Sequence, residues 1–438
     1  MNPASQAPTE GQTPVQAGEA TRGDAWSRAW TVVAVAAAWS CFLPLGSKYA
    51  TFVAATALGL AGMLRDRPGP AGWRDATSRS ILLLWAWLLV SAAWTSAPAR
   101  DALSHLFHYG RLLALPLIAL ACPPTVAWRA LGHFAAASAL VGGLVVLDRL
   151  HLLPASLWWH STLTAEGNQR IATSLLMALG AALSLALAAT PGRPARQRAA
   201  WILAAVVATL GISLQDRRTG MVALPILLLV LALVLQRQTW RRLALVGALA
   251  LAGWLSWHAS GTVRARFDEG WREIASYRSE GVVATSWGMR LRMVQLTTEM
   301  VRDRPIVGHG IGSWQHEWRG RSSGGGEPLE AQVTPHNEHL LIAAQGGLVG
   351  LALWWAVLIH AGRSAHRAGL AGLPALLVWV TVAWTGLFNV VIRDAKFALP
   401  LLVLAGLATA AARATRIRRQ RVGDDTATQL SALGRTVS

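Results

Sequence analysis

The chain has 438 residues, 53% of them hydrophobic and only 14% charged, with a mean hydropathy of +0.38. That composition excludes a disordered chain and an ordinary water-soluble domain, and it leaves a multi-span membrane protein. The formal net charge of +18 does not argue for nucleic acid, because the arginines are scattered between apolar runs, where basic cytoplasmic loops account for much of the excess.

Residues 1–25 are polar and aperiodic and read as a disordered cytoplasmic N-terminus. They lack the basic start and adjoining apolar run of a signal peptide. About twelve apolar segments follow, near 28–45, 48–64, 79–95, 105–121, 126–148, 169–189, 200–214, 219–236, 242–258, 337–361, 371–391 and 397–413. A segment crossing a bilayer core of about 30 Å must satisfy its own backbone, so each is expected to be a helix. The expected fold is all-α: a polytopic membrane domain over 26–414 with about twelve transmembrane helices, then a basic cytoplasmic tail at 415–438. The 22 Trp against 7 Phe and 3 Tyr suit a chain with many membrane–water boundaries. Cys41 and Cys122 fall inside apolar runs and read as free, buried thiols.

One long polar segment, 259–336, separates the ninth and tenth apolar runs. Within it Trp287, Met289, Leu291, Val294, Leu296 and Met300 recur at roughly helical spacing, which predicts a helix lying over the membrane domain. Pro305 ends that helix, and GHGIG (308–312) reads as a flexible turn. With a cytoplasmic N-terminus the even-numbered loops, such as RDRPGPAGWRDATSR, PGRPARQR and GRSAHR, are inside and basic. Both termini are then cytoplasmic and the long segment is outside.

The exceptions to that rule point to a site. Short outside loops ought to lack positive charge, yet LQDRRTG carries Arg217 and Arg218, and NVVIRDAKF carries Arg393, Asp394 and Lys396. The two lysines of the chain, Lys48 and Lys396, both map to the outside face. Single boundary cations snorkel to headgroups, but a group gathered on one face fits an anionic ligand at the outer leaflet. Beside them lies TPHNEHLL. His336 and His339 are three apart and would share a helix face. The H-N-E-H order does not match an H-E-x-x-H zinc site, and no spacing makes His309 or His316 a further ligand. A neutral imidazole can instead accept a proton near neutral pH, which makes His336 a candidate general base. His339 reads either as a structural histidine or as a substrate contact.

These residues carry a resemblance. His336, Asn337, nine residues, Gly347, two residues and Gly350 match the signature of the O-antigen ligases, in which His is followed by Asn, Ser or Gln, nine residues, Gly, two residues, then Gly, Thr or Tyr. DRPIVGHGIGSW (303–314) looks like the D-x-P-hydrophobic-x-G-x-G element of the wider group of ligases, polymerases and protein O-oligosaccharyltransferases, and RRTG at 217–220 is similar to its arginine-containing outside turn. The resemblance covers about residues 28–414. It implies a GT-C-like membrane glycosyltransferase in the bacterial inner membrane with a periplasmic active site. The donor would be an O-antigen glycan on undecaprenyl pyrophosphate and the acceptor a sugar hydroxyl of lipid A–core, with no metal, no other cofactor and no nucleic acid. It implies His336 as catalytic base, Arg218 or its neighbour Arg217 with Arg290 on the pyrophosphate, and Asn337 as orienter. Asp394 and Lys396 join from the topology, and Arg111 and Arg170, near outside ends of spans, are further candidates. An O-antigen polymerase, a protein O-oligosaccharyltransferase and, outside the enzyme class, a lipid-linked glycan flippase or transporter remain alternatives.

Overall fold

The computed structural model describes residues 14–66, 75–154, 168–215, 218–236, 238–259, 261–324 and 326–413. Among them the secondary structure is helical throughout. The helices are α1 (Pro14–Ser40), α2 (Leu45–Asp66), α3 (Ala76–Val90), α4 (Ala99–Gly110), α5 (Ala114–Ala121), α6 (Pro124–Arg149), α7 (Asn168–Ala188) and α8 (Ala195–Leu214). They continue as α9 (Arg218–Leu235), α10 (Thr239–Ala259), α11 (Gly261–Glu280), α12 (Ser286–Asp303), α13 (Trp314–Ser322), α14 (Glu338–Arg367), α15 (Leu373–Thr385) and α16 (Ala395–Arg413). Each expected apolar segment falls on one of these helices or on a helix pair. α1 begins at Pro14, inside the stretch read as unstructured, and the tail expected at 415–438 lies outside the described residues.

The protein is an all-α, polytopic membrane protein. Among the described residues, seven segments are long and apolar enough to cross a bilayer: Ala76–Trp94, Ala99–Ala121, Pro124–Arg149, Asn168–Ala188, Ala195–Leu214, Glu338–Arg367 and Ala395–Arg413. Two shorter apolar helices, Thr219–Leu235 and Gly369–Thr385, lie beside them. Two of the expected spans, α2 and α15, miss that measure for local reasons. α2 opens on Gly46, Ser47 and Lys48, which dilute its apolar window, and α15 is only 13 residues long.

The apolar windows of α7 and α16 are 83% buried against 22% for α8, so the first two form the centre and α8 turns most of its surface to lipid. Leu203, Val206 and Leu210 of α8 are accordingly exposed. The core runs through Trp30, Phe42, Tyr109, Phe134, Trp354 and Phe397. Cys41 and Cys122 are free and buried within it.

A second, smaller core lies in the long segment. α12 does turn an apolar stripe inward, but the buried face is Met293, Leu296, Thr297 and Met300, with Met289 at its edge, while Val294 is exposed. Met293, Leu296 and Met300 pack with Trp314, Trp318, Leu341, Ala344 and Val390, so the segment is clamped onto the start of α14. Trp314 and Trp318 stack at 4.9 Å between ring centroids.

α14 is broken. Gly347 sits at φ 67°, ψ −166° inside it, dividing the helix into an outer piece, 338–346, and a long inner piece. Such a break orphans backbone groups that a membrane domain cannot leave unsatisfied. The long segment supplies the partners. Leu348 N–H donates to the Pro305 carbonyl at 2.7 Å, and His309 and Gly310 N–H donate to the Ala344 and Gln345 carbonyls at 2.9 Å each. The Trp87 indole N–H takes the Gly346 carbonyl at 2.8 Å. GHGIG is therefore no flexible turn. Gly308, Gly310 and Gly312 all have positive φ, and a Cβ on each would strike the backbone of Gln345, Thr95 or Ala102 respectively.

A methyl group at Gly347 would collide with the Ile306 carbonyl and add left-handed strain. Gly347→Ala should lower stability by about 2–4 kcal/mol, the sum of a strained φ and a forced displacement. Gly253→Ala, in open space on α10, should leave it unchanged or slightly higher. Thermal unfolding in detergent compares the two variants, and equal melting would show that the break is not rigidly docked.

Candidate active site

Three segments meet at the N-terminal end of α14: its first turn, the 389–394 turn before α16, and the inward face of α4. Alternation along α4 explains its part. Leu103 and Phe107 point to lipid while His105 and Tyr109 are buried, with His108 and Arg111 on the same inward side. His105 Nδ1 pairs with Gln345 Oε1 at 3.0 Å, the Tyr109 hydroxyl donates to Glu338 Oε1 at 2.7 Å, and Arg111 donates to the Tyr49 hydroxyl at 2.9 Å and the Arg393 carbonyl at 3.4 Å.

His336 immediately precedes the cap of α14. Asn337 is extended, and its side-chain oxygen accepts the Leu340 N–H at 3.0 Å, an ordinary N-cap. His336 itself has φ 48°, one of two non-glycine residues with positive φ among those described. A side chain in that region is strained and persists only where its surroundings over-determine it. Burial pushes the imidazole down to about 4, helped by the Arg290 guanidinium and opposed by the Asp394 carboxylate. At neutral pH the ring is therefore uncharged, with a lone pair to accept a proton.

Asp394 is the charged neighbour shared by Lys48, His108, Arg111, Arg393 and His336. Its own oxygens are engaged: Oδ2 accepts from Asn168 Nδ2 at 2.7 Å and Oδ1 from the Lys396 N–H at 2.9 Å. It organises cations rather than offering itself to an anion. Lys48 is buried and reaches Gln169 Oε1 at 3.5 Å, and Lys396 acts electrostatically on it. Arg290 lies with its guanidinium 5.9 Å from the Trp287 ring centroid. Cations thus outnumber carboxylates around a neutral histidine, which suits an anionic ligand with several phosphate oxygens.

Of the residues expected from sequence, the structure brings His336, Asn337, Arg290, Asp394, Lys396 and Arg111 into one neighbourhood. Arg170 stands in the first turn of α7, its Nε buried and without a partner. Arg217 lies outside the described residues, and Arg218 is described only as the first backbone position of α9. His339 faces inward: Nδ1 accepts the Trp354 indole N–H at 3.1 Å, Nε2 donates to the Ala383 carbonyl at 3.2 Å, and Trp355 stacks on the ring. Both nitrogens are used within the protein, which leaves nothing for a ligand. Sequence reasoning passed over His108, whose Nδ1 is buried and unpartnered, and placed Lys48 and Arg393 only in the general group of outside-face cations, without a role of their own. Spacing gave a hint, since His108 and Arg111 share a helix face.

The family model described as O-antigen ligase matches residues 203–355. The matched stretch runs from α8 to the middle of α14 and contains Arg218, Arg290, the docked GHGIG turn, His336 and the Gly347 break. Lys48, Arg111 and the 389–394 turn lie beyond it. No curated protein matches the chain.

The strain at His336 is testable apart from any activity. His336→Gly and His336→Ala remove the same imidazole, but only glycine accepts φ 48° freely. The glycine variant should be about 1–2 kcal/mol more stable than the alanine variant. Equal thermal midpoints would mean that this backbone is not left-handed in the membrane.

Proposed function

We propose that the protein is an O-antigen ligase: a membrane glycosyltransferase that moves a glycan from undecaprenyl pyrophosphate to a sugar hydroxyl of lipid A–core at the periplasmic face of the inner membrane. The observation that carries this reading is a neutral, strained His336 facing Arg290 beside a cluster of cations, within the stretch matched by the O-antigen ligase family model. The donor is anionic at one end and apolar at the other, which suits cations gathered at the outer edge of a helical bundle.

In this mechanism the acceptor hydroxyl oxygen attacks C1 of the pyrophosphate-linked sugar, and His336 takes the hydroxyl proton. The C1–O bond to phosphorus breaks with its electron pair passing to the phosphate oxygen, and undecaprenyl pyrophosphate leaves as an anion. Attack from the face opposite the leaving group inverts C1. Arg290, Arg111, Arg393 and Lys48 stabilise the charge that grows on the leaving oxygen, and Arg218 joins them by its motif. Pyrophosphate is already an activated leaving group, so the step requires neither ATP nor a metal. Asn337 acts through the backbone, since its cap fixes the peptide after His336. Both termini are cytoplasmic in this reading and about twelve helices span the membrane. Reporter fusions within 322–326 should then read periplasmic and fusions after Arg198 and Arg367 cytoplasmic. A cytoplasmic 322–326 would put His336 on the wrong leaflet.

Reconstitution with lipid-linked glycan and lipid A–core, without an energy source, should give a longer lipopolysaccharide. Product on a peptide or on a second lipid-linked glycan instead would reassign the acceptor, and none on any acceptor would sink the transferase. His336→Ala should slow single-turnover transfer about 10²–10⁴-fold with donor affinity kept. Arg290→Ala should weaken both, and Arg290→Lys should restore only part, lacking the planar fork. The acid limb of the pH–rate profile should lie near pH 4 rather than at the usual imidazole value, because a lowered value keeps the ring neutral down to that pH. Arg290→Ala should move the limb upward, and only partway, since burial is the larger cause. A wild-type limb near 6.5 would exclude His336 as the base described here.

A further inference from the structure

Glu338 falls among the unspecified nine residues of the signature, yet it is fully buried. Oε1 accepts the Tyr109 hydroxyl of α4 at 2.7 Å and Oε2 accepts the Ile392 N–H of the turn before α16 at 2.8 Å. Its own N–H donates to the Gly386 carbonyl at 2.7 Å, and the Arg393 guanidinium acts on its charge. One residue thus ties α14 to α4, to the end of α15 and to the 389–394 turn.

Helix capping does not explain this, because Asn337 already serves as the cap. Bulk stability does not explain it either. A buried carboxylate is costly to desolvate, and an apolar side chain of the same size often serves stability as well or better. What a doubly bonded carboxylate adds is direction. Two residues before it stands His336, in a backbone conformation that its neighbours must hold. Directly after Ile392 come Arg393 and Asp394, and Asp394 is the shared charge of the cation cluster.

We propose that Glu338 is a positioning residue whose buried carboxyl group sets the His336 imidazole and the Arg393–Asp394 turn in register, so that base and phosphate-binding groups are placed by one side chain. The role rests on reading His336 as the base. Tyr109 belongs to it as the hydroxyl that fixes Oε1.

The experiment uses the full-length protein in detergent with Glu338→Gln, Tyr109→Phe and each combined with His336→Ala. Glu338→Gln keeps the volume but replaces one acceptor oxygen by an N–H₂. It should slow single-turnover transfer about tenfold to a hundredfold, the scale of a displacement near 1 Å, and should weaken donor binding as well. Tyr109→Phe should do the same to a smaller extent. In the His336→Ala background Glu338→Gln should slow transfer by less than it does alone, because only the share carried by the Arg393–Asp394 turn is left to lose, while its loss of donor affinity persists. Coupling of that kind separates positioning from general support, which would give additive losses. The second readout is independent of catalysis: the His336 imidazole, assigned in NMR spectra by its loss in His336→Ala, should titrate closer to its ordinary value in Glu338→Gln than in wild type. Additive rate losses with an unmoved titration would overturn the proposal, as would a Glu338→Gln protein that transfers normally. If Glu338→Gln does not fold, Tyr109→Phe decides by the same two readouts. A wild-type protein that transfers nothing would remove the ligase reading, and the titration and the affinity for inorganic pyrophosphate would still decide whether Glu338 holds the site.

Discussion

The break in α14 at Gly347 is the constraint from which the rest of the architecture follows. A helix interrupted in a membrane domain exposes N–H and C=O groups, each worth several kcal/mol if left dry. Here the backbone at Pro305, Ile306, His309 and Gly310 and the Trp87 indole take them up. The long polar segment is therefore part of the helix bundle's own hydrogen-bonding, and its fold cannot vary independently of the membrane helices. The three positive-φ glycines of GHGIG are the means. Only a chain without side chains can press its backbone so closely against Gln345, Thr95 and Ala102.

Docking of this kind has an electrostatic consequence. The small core of Met293, Leu296, Met300 and Trp314 holds α12 against the outer piece of α14, and α12 carries Arg290. The arginine that adds to burial in disfavouring a charged His336 is thus placed by apolar packing on a separate element rather than by the strand of sequence around the histidine. On the opposite side the 389–394 turn is held by Glu338 and by Asn168, and it brings Asp394 to moderate the same imidazole. The neutral state of His336 is a balance of burial and two charges delivered from different parts of the chain.

Much of this could be read from sequence, and the remainder failed for identifiable reasons. Apolar runs located the helices because hydrophobic length is a local property. Their number as spans was less legible, since α15 is short and α2 starts with a buried lysine. The signature marked His336, and charge on the wrong side of short loops marked Asp394 and Lys396. His339 shared the helix face that spacing demands, but spacing cannot say that Trp354 and the Ala383 carbonyl already occupy its nitrogens. Charge and topology put Lys48 and Arg393 on the same face, but their convergence on Asp394 is between elements far apart in the chain, which periodicity does not register. GHGIG reads as a turn in any local view. Its rigidity comes only from what it is packed against.

The nine residues between Asn337 and Gly347 also acquire a physical meaning. They form the outer piece of α14, two and a half turns long at 3.6 residues per turn, or about 13 Å. One end is fixed at the break by the docked segment, and the other presents His336 beyond an asparagine cap. A helix of fixed length is a ruler: one inserted residue would swing the capped end by about 100° and advance it about 1.5 Å. Either change would take His336 away from Arg290 and Glu338 away from Tyr109. Identity matters within this piece, since Glu338 bonds Tyr109, Gln345 bonds His105, and Leu341 and Ala344 meet the small core, and each of those contacts depends on the number of residues being kept. The glycine at the inner end and the histidine at the outer end are two ends of one rigid part, which is why they are specified together.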